Sequence, residues 1–170
     1  MQSLPPLLAK PVEIAPLWLV ERVARAIFAG VLKAHPDLFE RLGDYRRSRY
    51  CFSPADLPLH FTVVPERGAL SVSRRDGAPP AADARVEGPL VVLLALLEGR
   101  CDADALFFSR DLSVTGDMEA MLALRNALDD SAIDLPRELG ALAGPFSPLV
   151  AGTARYIRTR ALEGRDATWN

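Results

Sequence analysis

Apolar positions along the chain change their spacing several times, and each change marks a different element. From Pro16 onward Val20, Val23, Ala24, Ile27, Phe28, Val31 and Leu32 recur at three and four residues, the spacing of one face of an α-helix. Glu21, Arg22, Arg25 and Lys33 take the other face. Pro16 suits the first turn, where a missing N–H costs no hydrogen bond. "HPDLFERLGD" predicts a short helix ending near Gly43. Between Arg49 and Val86 the period falls towards two. "RYCFS", "LHFTVVP", "ALSVSRR" and "ADARVEG" are strand candidates, with "PERG" as a hairpin turn and "RDGAPPA" as a mobile loop.

In "GPLVVLLALLEGR" the pattern loses its polar positions altogether: Leu90 to Leu97 is apolar throughout. Pro89 fits the first helical position and Gly99 the residue past the end. Such a helix is covered on most sides, either sandwiched in the core or bordering an apolar cavity. "ALFFS" and "LSVTG" then read as strands joined by "RD", and Asp117 as the cap of a helix running to about Asp130. At about 100° per residue, Met118, Met121, Leu122, Leu124 and Leu128 share one broad face with Arg125 in its middle. Arg125 either packs its stem and turns its head to water, or meets the anionic or polar head group of a lipid.

"PRELGALAG" and "SPLVAGTARYIRTRALEG" predict two closing helices. The second sets Leu149, Val150, Ala154, Ile157 and Ala161 against Arg155, Arg158 and Arg160. Its basic face meets either solvent or an anionic membrane surface. At the other end Pro5, Pro6 and Pro11 forbid helix. The expected organisation is a proline-rich arm over 1–15, one domain over 16–165 and a tail over 166–170.

Composition narrows the function. With 49% apolar and 25% charged residues in a chain of 170, a core forms without disulfides or metal. A net charge of −2 gives no bulk attraction to nucleic acid. Cys51 and Cys101 lie far apart in no metal-ligand pattern. The start has no basic segment followed by an apolar run, so no export signal is read. Together these features indicate reduced thiols and a cytoplasmic protein. No apolar run reaches the roughly 18 residues of a membrane span.

Candidate chemistry is sparse. His35 and His60 lack a partner at metal-binding spacing and read as structural or surface residues. "CDAD" at Cys101–Asp104 is a poor ligand set and reads as a loop. There is no nucleophile elbow, Walker loop or dinucleotide fingerprint. No catalytic residue, metal or cofactor is expected.

The order helix, strand meander, apolar helix, strand pair and then "LSVTGDMEAMLALRNALDD" resembles the sterol-carrier-protein type two domain. That family's mark is a strand, Gly-Asp and an amphipathic helix, matched here by Val114 to Leu128. The wider wording "DALFFSRDLSVTGDMEAMLALRNALD" with "VEGPLVVLLALLEG" is similar to ubiquinone-biosynthesis accessory factors within the family. The resemblance covers about residues 15 to 135. It implies an α+β fold, a mostly antiparallel sheet flanked by helices around an apolar tunnel. It also implies a non-catalytic role in oxygen-independent ubiquinone synthesis, alongside peptidase-family-like partners that carry iron–sulfur clusters and hydroxylate the ring.

Amphipathicity, rather than the family mark, supplies the expected lining: Leu94, Phe107, Val114, Met118 and Met121, with Leu122 and Arg125 on the same helix. The expected occupant is an isoprenoid quinone intermediate or another lipid. The arm residues Leu4, Leu7 and Leu8, together with Trp18, are expected to give peripheral membrane contact. Two rivals stand beside this reading: an assembly protein whose groove takes a partner helix, and a small lipid-modifying enzyme.

Overall fold

The computed structural model describes residues 15–98 and 112–134. The first helix, α1 (Leu17–Ala34), starts directly after Pro16, as the spacing predicts. The short helix after it differs from expectation. Gly43 is a kink, not an end: 3₁₀ turns run over Glu40–Arg47, with Gly43 at φ +53° inside them. Glycine tolerates that left-handed φ at little steric cost, so the chain bends there and continues.

Five strands follow among the described residues: β1 (Tyr50–Pro54), β2 (Leu59–Val64), β3 (Ala69–Arg74), β4 (Ala84–Gly88) and β5 (Ser113–Gly116). Helix α2 (Leu90–Leu97) sits between β4 and β5, and α3 (Met118–Ser131) follows β5. The sheet order is β3-β2-β1-β4-β5. Every neighbour pair is antiparallel except β1 with β4, which run parallel from Tyr50↔Ala84 to Pro54↔Gly88. The fold is the expected α+β arrangement with a mostly antiparallel sheet. The strand expected at "ALFFS", the arm and the two closing helices lie outside the described residues.

Helix starts and turns follow from local chemistry. "PERG" forms the β2–β3 turn, with Gly68 left-handed at φ +53°. Asp117 caps α3, its Oδ1 accepting from Glu119 N at 2.9 Å and Ala120 N at 3.0 Å. Pro89 is the cap of α2 rather than its first residue, and the Leu90 N–H donates to Asp56 Oδ1 at 2.9 Å. Thus a side chain from the β1–β2 connection satisfies the start of the apolar helix.

The strand pleat sorts side chains onto two faces. Tyr50, Phe52, Phe61, Val63, Ala84 and Val86 share the helix-facing side through the β2–β1–β4 register. Two apolar clusters form on it. The larger joins Tyr50, Val86, Leu93, Leu96, Leu124 and Leu128, among others, under α2 and α3. The smaller joins Leu57, Leu59 and Val72 with Leu17, Val20 and Ala24 of α1. The main partner of α1 is β3, whereas α2 rests on β4, β1 and α3. Helix α2 is buried at Val91, Val92, Leu93 and Leu96, as its all-apolar sequence requires.

Candidate functional site

The helix-facing side is not covered evenly. Phe52 and Phe61 are opposed across β1 and β2, near the middle of the sheet, and both remain half-buried. Phe52 packs against the larger cluster and Phe61 against the smaller. Leu32 of α1 and Leu94 of α2 are also half-buried beside the larger cluster. An apolar seam therefore runs where the two clusters meet. Phe28 and Phe39 are half-buried too, their ring centroids 5.9 Å apart and tilted by 42°, with Phe39 packed against the larger cluster. Aromatic and branched side chains of this kind suit an apolar chain, which needs area and exclusion of water rather than directed bonds.

The structure brings together some of the residues expected from sequence and separates others. Leu94 and Val114 pack against the larger cluster, and Met121 lies within it at 2% exposure. Met118 and Leu122 sit on the outer side of α3, 57% and 54% exposed. Arg125 is at the margin between these faces, its Nε 3.5 Å from Asp129 Oδ2 one turn on. Phe107 lies outside the described residues. The buried stripe of α3 is turned towards Ala120 and Ala127, both almost fully covered. Small side chains let the helix sit close to the sheet, so its inner face centres on alanines that a hydrophobicity count weighs lightly.

Helix α3 is tied to the 3₁₀ segment as well as to the sheet. The Tyr45 hydroxyl donates to Glu119 Oε2 at 2.7 Å; that hydrogen bond, more than burial, raises the phenol's pKa. The Tyr50 hydroxyl lies 3.2 Å from Tyr45 O and 3.3 Å from Ala120 O. Burial pushes its pKa up to about 12.

The opposite face of the same strands is polar, and sequence reasoning passed over it. Cys51, Ser53 and His60 are buried there. Ser53 Oγ and His60 Nδ1 are 2.7 Å apart, and Cys51 Sγ lies 3.6 Å from Ser53 Oγ. Two guanidiniums cross this row. Arg85 Nη1 donates to Cys51 Sγ at 3.3 Å and Nη2 to Pro80 O at 2.7 Å. Arg75 pairs with Glu87 and reaches Pro54 O at 3.4 Å. Burial, then the charges of Arg75 and Arg85, hold the His60 imidazole below its ordinary pKa, against an opposing pull from Glu87. The alternation in "YCFSP" and "LHFTVV" was the available signal, but only the β1–β2 register shows that Ser53 meets His60. A Ser–His contact can activate a nucleophile; here Ser53 is 1% exposed and its hydroxyl is closed to substrate. Among the described residues no three His, Cys, Asp or Glu side chains gather to hold a metal ion. No helix among them is long and apolar enough to cross a membrane.

A strand, a Gly-Asp turn and a capped amphipathic helix thus complete one layer of helices on a five-stranded sheet. The family model "SCP-2 sterol transfer family" matches residues 28–129. The chain belongs to the SCP-2 sterol transfer family. Among solved structures it is similar to "UbiJ-SCP2 Ubiquinone synthesis protein", at 20% identity and a TM-score of 0.56, covering 72% of this chain and 98% of that one. Sterol carrier protein 2 from Yarrowia lipolytica, in its apo form, aligns at 18% identity and a TM-score of 0.45, over 64% of this chain and 91% of that one. The sterol carrier protein domain 2 of Helicoverpa armigera aligns at 16% identity and 0.45, over 79% and 98%. No curated protein matches the chain in sequence. The first structural likeness places this SCP-2 member's fold; at such identity it carries the fold alone.

Proposed function

We propose that the protein is a non-catalytic lipid-binding accessory factor of ubiquinone biosynthesis. It holds isoprenoid quinone intermediates, or other lipids, and presents them to the enzymes that modify them. The observation that carries this reading is the half-buried Phe52–Phe61 seam of an SCP-2 family domain. The likeness to the UbiJ-SCP2 ubiquinone synthesis protein supports the pathway. The wording of residues 86–99 and 104–129 resembles the accessory factor UbiT, and on that resemblance the pathway is the oxygen-independent one. The partners are then peptidase-family-like hydroxylases that carry iron–sulfur clusters. The site of action is cytoplasmic, with peripheral contact at the membrane through Trp18 and the proline-rich arm.

The physical task is modest. Each methylene kept from water contributes about 0.8 kcal/mol, and a bilayer offers nearly the same. A carrier need only match the membrane for exchange to run in both directions. The seam supplies the apolar contact, and the enzymes supply the chemistry.

Lipid extraction and mass spectrometry on protein purified without detergent from its native cell tests this directly. Prenylated ring lipids enriched above their share of the membrane are expected. Extracts with no lipid above buffer, from protein that also fails to take up a prenylated quinone, would remove the proposal. A second reading rests on Met118 and Leu122, exposed one turn apart on α3: this pair suits a partner helix. A native mass spectrum carrying a protein partner and no lipid would favour it.

A further inference from the structure

The polar row on the far side of the sheet has a design that lipid holding does not require. A buried imidazole sits among two guanidiniums and one carboxylate, and one of those guanidiniums also pins a loop. We propose that His60 is an acid-operated latch, whose protonation frees loop 75–83 from the sheet and loosens the floor of the apolar seam.

The groups that face His60 come from three strands. β1 presents Ser53 at 2.7 Å from Nδ1, with Cys51 beyond it. From the end of β3 comes Arg75, and from β4 come Arg85 and Glu87, the charges that act on the ring. Glu87 already neutralises Arg75. Among the described residues Arg85 donates to neutral acceptors, Cys51 Sγ and Pro80 O. A proton on His60 therefore adds a like charge beside a guanidinium with no carboxylate partner among these contacts.

Two adjustments relieve it. The Ser53 contact survives whichever tautomer the neutral ring holds, since a doubly protonated ring donates from Nδ1 and the hydroxyl oxygen accepts. The repulsion is relieved if Arg85 turns outward to water. That movement breaks its bond to Pro80 O, a contact that ties the middle of loop 75–83 to the sheet. The other fastenings of the loop are at its two ends, Arg75 and Asp83; between them it is mostly exposed, so Pro80 O is where Arg85 grips its middle.

The sign follows from linkage. The ring's folded pKa is lowered relative to about 6.5 in an unfolded chain. The closed state is fully favoured above that unfolded value and loses ground as pH falls through it towards the folded pKa. Mild acid is thus the opening condition. An anionic membrane surface attracts protons as it does other cations, so a carrier arriving there meets lower pH than in bulk.

The link to the seam rests on the lipid-holding reading. Phe61 adjoins His60 in β2 and Phe52 adjoins Ser53 in β1, each pair pointing to opposite faces. Loosening the polar row thereby disturbs the two strands that carry the seam's aromatic floor.

Two measurements on the full chain keep the latch and the lipid reading separate. In the first, amide hydrogen exchange at Asp83 and Ala84, whose N–H groups bond Arg49 O at the foot of the loop, is compared at pH 7.5 and 5.5 after correction for intrinsic rates, while NMR follows the His60 ring. Exchange should rise at least about tenfold at the lower pH, with a midpoint matching the ring titration. His60→Gln, which keeps a polar contact to Ser53, should remove the rise. Arg85→Gln should move the His60 pKa up. Exchange that ignores pH, or responds equally in His60→Gln, overturns the latch; if His60→Gln does not fold, an unmoved His60 pKa in Arg85→Gln does so. In the second, protein loaded with a fluorescent sixteen-carbon fatty acid at pH 7.5 should release it on acidification, and His60→Gln should retain it. No loading at pH 7.5 counts against lipid holding while leaving the exchange test intact. Loading with equal release from both proteins overturns the link to the seam.

Discussion

Phe52 and Phe61 stand opposite each other on adjacent strands, yet their rings belong to different apolar clusters. A pair that bridges two packed regions without being buried by either is where an inserted acyl or prenyl chain gains most contact. Tryptophan at either position should act as a reporter. In a Trp18→Phe, Trp169→Phe background, Phe52→Trp and Phe61→Trp should each be quenched by a brominated fatty acid. Trp18 in the parent, 63% exposed on α1, should be quenched far less. Equal quenching at all three sites would show that the chain binds elsewhere.

The Gly116–Asp117 turn should show two different costs. Asp117→Ala removes the cap of α3, worth about 1 kcal/mol, and Asp117→Asn should restore most of it. Gly116 holds φ +91°, and a Cβ there would lie 2.1 Å from Asp83 O. Gly116→Ala should therefore cost roughly 3 kcal/mol or more. Urea unfolding midpoints give the order; a cap variant worse than the glycine variant would contradict it.

Alkaline stability should depend on Tyr50. Its phenol is buried and its pKa is pushed up to about 12, above its value of about 10 in an unfolded chain. The stabilisation is full below the unfolded value and is lost as pH rises through the folded one. The difference in unfolding free energy between the parent and Tyr50→Phe should change by about 2 kcal/mol from pH 9 to 12. A constant difference across that range would place the phenol in contact with water.

The outer side of α3 separates binding from stability. Met118→Lys and Leu122→Lys alter exposed side chains and should shift stability by no more than about 0.5 kcal/mol. Loss of lipid uptake in either would assign that side to the ligand; loss of a protein partner alone would assign it to assembly. Arg125 pairs with half-exposed Asp129 at i,i+4, an arrangement worth about 0.5 kcal/mol. Arg125→Met should keep both polar-headed and plain hydrocarbon ligands. Loss of the polar-headed class at an unchanged melting temperature would assign the guanidinium to a head group.

Where local pattern decides the structure, the sequence was readable. The three-and-four spacing from Val20 to Leu32 became α1, the alternating runs became β1 to β4, and Asp117 became the cap. Residues whose role depends on distant pairing were not readable. The parallel β1–β4 ladder is absent from a strand-by-strand reading, which suggests a plain meander. His60 looked isolated because its partner Ser53 comes from another strand. Nothing in the sequence marks Phe52 and Phe61, since only the positions of α1 and α2 leave them half-covered. Met118 and Leu122 shared an apolar face with Met121, Leu124 and Leu128 on a helical wheel, but the inner face centres on Ala120 and Ala127, which keeps the latter three in the core and leaves the first two outside.

The parallel β1–β4 ladder also sets an order in time. The β2–β3 hairpin closes through a short turn, whereas Tyr50 must find Ala84 after the whole hairpin has been threaded between them. Contacts between distant residues are slow to form because the intervening chain must first be ordered. Refolding should therefore protect the amides of β2 and β3 against pulse-labelled exchange before those of β4. The transient species has a paired hairpin and an unpartnered β1 edge, and with it the greatest exposure to aggregation. Asp83 secures the closed ladder: its carboxylate takes the Arg49 N–H at 2.7 Å and its carbonyl the Asp117 N–H at 2.8 Å, so one residue at the foot of β4 is fastened to the chain before β1 and after β5.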